Sequence, residues 1–166
     1  MKKLAKTLLA VYLLVLLWLL LFKFSMHLDS VIANYHVRVI NLIPFASASK
    51  GSPLEIIYNV LAFIPLGLLL NVNFSHFSFK QKLTFILLLS TSVEITQYVL
   101  SIGRTDITDV MTNTFGGYLG LVSYDIVQKQ IDREKLNRFI VLVGTILIIL
   151  FLLLRFFVLR VRYQSH

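Results

Sequence analysis

Two short runs carry most of the side chains able to do chemistry. In "STSVEITQYVLS", Ser90, Glu94, Gln97 and Ser101 fall at i, i+4, i+7 and i+11, so a helix would align all four on one face. In "GRTDITDVMTNTFGGYLG", Arg104 precedes Asp106 and Asp109, and Asp109, Asn113 and Gly116 continue a second face. The carboxylates suit proton exchange, general-base work or oxygen ligation of magnesium. The forked guanidinium of Arg104 suits a phosphate or carboxylate, either a ligand's or the protein's own.

Structural roles compete with each of these readings. Asp106 is a good helix N-cap, and a carboxylate at Asp109 suits the positive end of a helix dipole. Serine and glutamine commonly tie membrane helices together, and Gly116 with Gly120 has the GxxxG spacing that lets helices approach closely. Cysteine is absent, which excludes thiol nucleophiles, thiolate metal sites and disulfides. The histidines, His27, His36, His76 and His166, lack ligand spacing, so no metal centre is expected from them. No Gly-rich phosphate loop, serine elbow or metalloprotease helix occurs. The expectation is no cofactor, with magnesium on the three acidic residues as the alternative.

A membrane bundle must position these residues. The 166 residues are 57% hydrophobic and 14% charged, with a mean hydropathy of +0.81, outside the balance of soluble domains. A spanning helix needs about 20 apolar residues, and five segments qualify or nearly so. They are Leu4 to Phe22, Pro53 to Val72, Leu83 to Ser101, Ile107 to Val127 and Phe139 to Leu159, the fourth being the most polar. The expected fold is an all-α, polytopic transmembrane bundle of five spans in one domain, residues 1–166. Four spans plus a surface-lying or re-entrant C-terminal segment is the alternative, because the basic "RFFVLRVRY" favours an inside C-terminus. The basic, apolar start has the form of a secretory signal, but "KFSMH" follows where a cleavage site would lie, so the first span is read as uncleaved.

Lys2, Lys3 and Lys6 predict a cytoplasmic N-terminus, with Lys80, Lys82, Lys129, Arg133, Lys135 and Arg138 in inner loops. The formal charge of +8 is therefore read as orientation against anionic headgroups, and not as a nucleic-acid site. Leu28, Val31, Ile32, Tyr35 and Val39 recur at helical spacing, predicting a short interfacial helix before "NLIPF" breaks it. Asn59, Pro65 and Gly67 in "NVLAFIPLG" are read as a possible kink site in the second span.

The order of these pieces resembles the VanZ-like family of small bacterial membrane proteins. The likeness runs through "NLIPF", "NVLAFIPLG", "SVEITQ" and "RTDITDVMTNTFGGYLG", covering the middle half of the chain. Matching positions are Asn41, Pro44, Phe45, Asn59, Pro65, Gly67, Glu94, Gln97, Arg104, Asp106, Asp109, Asn113 and Gly116. The resemblance implies a multi-pass protein of the bacterial cell membrane. It also implies a link to low-level resistance to the glycopeptide teicoplanin, the property attached to the family's founding member, with no agreed reaction.

Ionisable groups inside a span are costly and so mark functional sites by default. The leading expectation is an outer-leaflet polar pocket of Glu94, Gln97, Arg104, Asp106, Asp109 and Asn113, binding a lipid or a phosphate-bearing precursor headgroup. An enzyme acting on a polyprenyl or phospholipid headgroup is one alternative, and a small proton-coupled transporter is another. The partners expected are membrane lipids. The residues leave open whether chemistry occurs and whether the chain oligomerises.

Overall fold

A computed structural model describes residues 1–21, 37–45 and 53–164. Its elements in chain order are α1 (Lys2–Leu21), β1 (Val37–Asn41), α2 (Pro53–Asn73), α3 (Phe79–Leu100), β2 (Ile102–Asp106), α4 (Ile107–Gln128) and α5 (Arg133–Gln164).

Capping chemistry sets several of these bounds. Ser78 opens α3 with a capping box: its Oγ accepts from Gln81 N at 3.3 Å, and Gln81 Oε1 accepts from Ser78 N at 2.8 Å. Ser101 closes α3 in the left-handed region at φ 55°, turning its N–H back onto the carbonyls of Gln97 and Tyr98. The chain then runs straight into β2. Asp106 opens α4, its side chain accepting from Thr108 N at 2.8 Å. Helix α2 continues through Pro65 to Asn73.

The helices alternate in direction. Asn73 on α2 donates to the Ala5 carbonyl of α1 at 3.2 Å, and Tyr12 donates to the Ala62 carbonyl, so α1 and α2 are antiparallel. Helices α2 and α4 run parallel, with Val60 against Gly116 and Ile64 against Gly120. Their backbones meet directly: a Cβ added at Gly116 or Gly120 would fall onto an α2 carbonyl, which is the close approach that glycine permits. Helix α5 runs parallel to α1, where Gly144 faces Leu8 and the Arg155 guanidinium lies 4.5 Å from the Trp18 ring centroid.

The all-α bundle is as the composition implies. Four of the described helices, α1, α2, α3 and α5, are long and apolar enough to cross a membrane. Helix α4 is not among them; beside Val110 and Leu121 it turns Thr108, Thr112, Asn113 and three glycines inward. It nevertheless has 22 residues, as α3 does, about 33 Å at 1.5 Å per residue.

Two expectations need correction. Val39 lies in β1 and not in an interfacial helix; residues 28–36 of that expected helix lie outside the described residues. The pairing β1·β2 is parallel, Val37 opposite Ile102 through Asn41 opposite Asp106, and it occupies backbone groups that an apolar environment would leave costly. Of the basic residues expected in inner loops, Lys80 and Lys82 lie in α3 and Arg133, Lys135 and Arg138 in α5; Lys82 is moreover buried, its Nζ donating to Asn71 Oδ1 at 2.7 Å. Asn71 in turn donates to Asp125 Oδ1 at 3.2 Å and to the Leu121 carbonyl at 3.1 Å.

Candidate functional site

The polar residues converge at the end of the bundle opposite residue 1. All four members of the α3 stripe, Ser90, Glu94, Gln97 and Ser101, are buried, as the helical period requires. Across the antiparallel α3–α4 seam, Asn113 Nδ2 donates to Ser90 Oγ at 2.9 Å. One turn further toward the strands, Glu94 Oε2 accepts the backbone N–H of Asp106 at 2.9 Å, and Thr105 Oγ1 donates to the Glu94 carbonyl at 3.2 Å. Glu94 thereby holds the start of α4 in place from the neighbouring helix.

Asp106 joins three segments. One carboxylate oxygen caps α4 at Thr108 N; the other accepts from Asn41 Nδ2 at 3.0 Å. Asn41 Oδ1 accepts the Ile43 N–H at 3.2 Å, folding the chain into the turn that holds Pro44. At Phe45 the backbone is left-handed, φ 60°, and its N–H donates to Thr108 Oγ1 at 3.0 Å. The "NLIPF" segment is thus fastened to the first turn of α4 by two side chains, Asp106 and Thr108.

Asp109 faces α2, its Oδ1 accepting from Asn59 Nδ2 at 2.8 Å. Between these side chains lies a cavity of about 10 Å³ lined by Glu55, Asn59, Glu94, Gln97, Asp109 and Asn113, with Leu20 and Val93 completing the wall. That volume is about the minimum for one water molecule. Gln97 Nε2 donates to the Leu20 carbonyl at 2.9 Å, which fixes the amide and leaves Oε1 without a hydrogen-bond partner among the described residues. Asn113 Oδ1 likewise has no partner among the described residues, and both side chains are only 1% exposed. Buried acceptors are normally satisfied, and the cavity beside this pair has room for about one water molecule. Chemically, the cavity can hold one small hydrogen-bond donor among oxygen acceptors; a whole headgroup does not fit between these side chains.

Of the residues singled out in the sequence, Glu94, Gln97, Asp109 and Asn113 meet at the cavity together with Asn59, while Asp106 and Asn41 form the adjoining network. Pro65 lies elsewhere, in the wall of an apolar crevice, and Gly67 and Gly116 lie in the α2–α4 seam. The backbone of Arg104 is in β2, opposite Val39; its side chain is outside the described part of the structure. Among the described residues, no three Asp, Glu or His side chains converge to hold a metal ion.

A family model described as VanZ/LLP1 matches residues 9–128. The chain belongs to the VanZ/LLP1 family. It is 49% identical over 154 residues to Protein VanZ of Enterococcus faecium, covering 93% of this chain and 94% of that relative. No solved structure matches it. The matched region contains every cavity residue but ends before α5, so this VanZ/LLP1 chain builds its polar centre from the family's own segments.

Two contributors escaped the sequence reading. Glu55 sits in the first turn of the otherwise apolar α2, where the cost of an ionisable group near lipid was signal enough to single it out. Thr108, the acceptor for Phe45, carried no signal, because a threonine in a first helical turn is unremarkable without knowing that "NLIPF" returns to it.

Proposed function

We propose that this chain is a multi-pass protein of the bacterial cell envelope, with its N-terminus in the cytoplasm, that lowers susceptibility to glycopeptides such as teicoplanin. In this reading the polar end faces outward and receives a hydrogen-bond-donating group of a lipid or cell-wall-precursor headgroup. Family membership and the likeness to Protein VanZ support the envelope role. The lysines of the first turn, Lys2, Lys3 and Lys6, support the orientation.

One observation carries the binding reading: two almost fully buried amide oxygens, on Gln97 and Asn113, meet no donor among the described residues, and both side chains line a small cavity beside Glu94 and Asp109.

The test is teicoplanin susceptibility of a deletion strain complemented with wild type, Gln97→Leu, Asp109→Asn or Glu94→Gln, with membrane abundance measured in parallel. Wild type should restore resistance, and the variants should fail to do so at unchanged abundance. Equal susceptibility throughout, or loss that merely tracks abundance, refutes the proposal. Turnover of a headgroup in defined vesicles, with or without magnesium, would replace binding by catalysis.

A further inference from the structure

A second crevice lies at the opposite end of the bundle, between α1, α2 and α5. Its mouth, about 520 Å³, is lined by Lys2, Lys6, Arg133 and Arg138 with a single carboxylate, Glu134. Glu134 pairs with Arg138 at 2.6 Å, leaving the mouth strongly positive. In the next turns of the same three helices lies a slot of about 310 Å³ lined by apolar side chains and Tyr12, whose hydroxyl is taken up by the Ala62 carbonyl. The α1 wall runs from Leu8 to Leu19, about 16 Å at 1.5 Å per residue, close to half of a hydrocarbon core about 30 Å thick. Gly144 lines the slot on α5, where a Cβ would already come within 3.1 Å of Leu8 Cδ2. The α5 wall is open to the bilayer, since only 6% of its spanning stretch is buried.

A cationic cavity with an apolar slot about one leaflet long in the next turns of the same helices is complementary to one class of molecule. We propose that this crevice holds one anionic phospholipid, its phosphate among Lys2, Lys6 and Arg133 and one acyl chain along the slot between α1 and α5. Basic pockets between membrane helices select anionic headgroups by charge, and the apolar continuation selects a lipid over a soluble phosphate. The site is separate from the polar centre, and its α5 wall lies beyond the residues shared with the family model.

The full chain is reconstituted in nanodiscs of phosphatidylcholine with phosphatidylglycerol, and the lipids it retains are counted by native mass spectrometry. Phosphatidylglycerol should be retained at least about fivefold over phosphatidylcholine. Lys6→Glu with Arg133→Glu should remove that preference. Lys129→Glu with Lys135→Glu, on basic residues of the same end but outside the crevice, should not. Gly144→Leu, which fills the slot and leaves the mouth intact, should lower retention of either lipid. Millimolar glycerol phosphate should not displace the lipid. Equal retention of the two lipids overturns the proposal, as does equal loss from both charge-reversed pairs, which indicates diffuse surface charge. Displacement by glycerol phosphate with Gly144→Leu silent also overturns it, in favour of a soluble phosphate site.

Discussion

Replacing Gly116 by alanine tests the packing that positions the polar centre. In a helix exposed on one side, this change gains about 1 kcal/mol from helix propensity. Here the added Cβ would lie 2.9 Å from Val60 Cα and closer still to its carbonyl, whereas carbon pairs rest at about 3.5–4.0 Å. The obstacle is backbone, so no side chain can swing aside, and the α2–α4 seam must open by roughly 1 Å. A gap of that order forfeits a quarter to a half of each contact along the seam, and overpacking of this kind costs about 1–3 kcal/mol. Taking about 3 kcal/mol of strain less about 1 kcal/mol of propensity leaves a net loss of about 2 kcal/mol. For a chain of this size that is a fall of about 4–8 °C in melting temperature. Gly144→Ala is the matched control: its Cβ would meet only Leu8 Cδ2, the end of a flexible side chain, at 3.1 Å. Propensity should win there, leaving stability unchanged or slightly raised. The assay is thermal unfolding in detergent, followed by size-exclusion chromatography of the surviving fraction. Gly116→Ala melting with wild type, or Gly144→Ala falling as far, would refute the reasoning.

Three further outcomes follow from named contacts. Asp106→Ala removes both the α4 cap and the Asn41 bridge and should cost about 1–2 kcal/mol; Asp106→Asn, which can still cap, should cost less in the same melting assay. Lys82→Ala should lower the melting temperature more than Lys80→Ala, since Lys82 is buried against Asn71 whereas Lys80 is exposed. Because the chain has no cysteine, single introduced thiols report topology against a silent background. Leu42→Cys, at the polar end, should react with an impermeant maleimide added to intact cells, and His76→Cys, at the other end, only after the membrane is opened. The reverse pattern would invert the orientation.

The helices were legible because a spanning helix must be apolar over most of its length. Helix α4 was legible despite its polarity, because its signal lay in the spacing of Asp109, Asn113 and Gly116. The Ser90–Ser101 stripe and the Asp106 cap were readable for the same reason: both are local patterns, complete within a few turns of one helix. What escaped depends on partners distant in the chain. Val39 was absorbed into a helical pattern and Asn41 into the break after it, because nothing local shows that Ile102 to Asp106 will arrive alongside to pair. Lys82 read as a loop charge because Asn71 and Asp125, which make its burial tolerable, stand on two other helices. The basic crevice needs three helix ends at once, so no window of sequence displays it.

The parallel pairing of β1 with β2 also imposes an order on biogenesis. Asn41 and Asp106 are 65 residues apart, and at 5–20 residues per second the ribosome takes roughly 3 to 13 s to make the difference. Throughout that delay "NLIPF" has neither its strand partner nor the α4 turn that fastens Phe45. The polar centre therefore closes late, after α2 and α3 have been synthesised, and a nascent chain arrested before Asp106 carries the first half of the site with nothing to latch it.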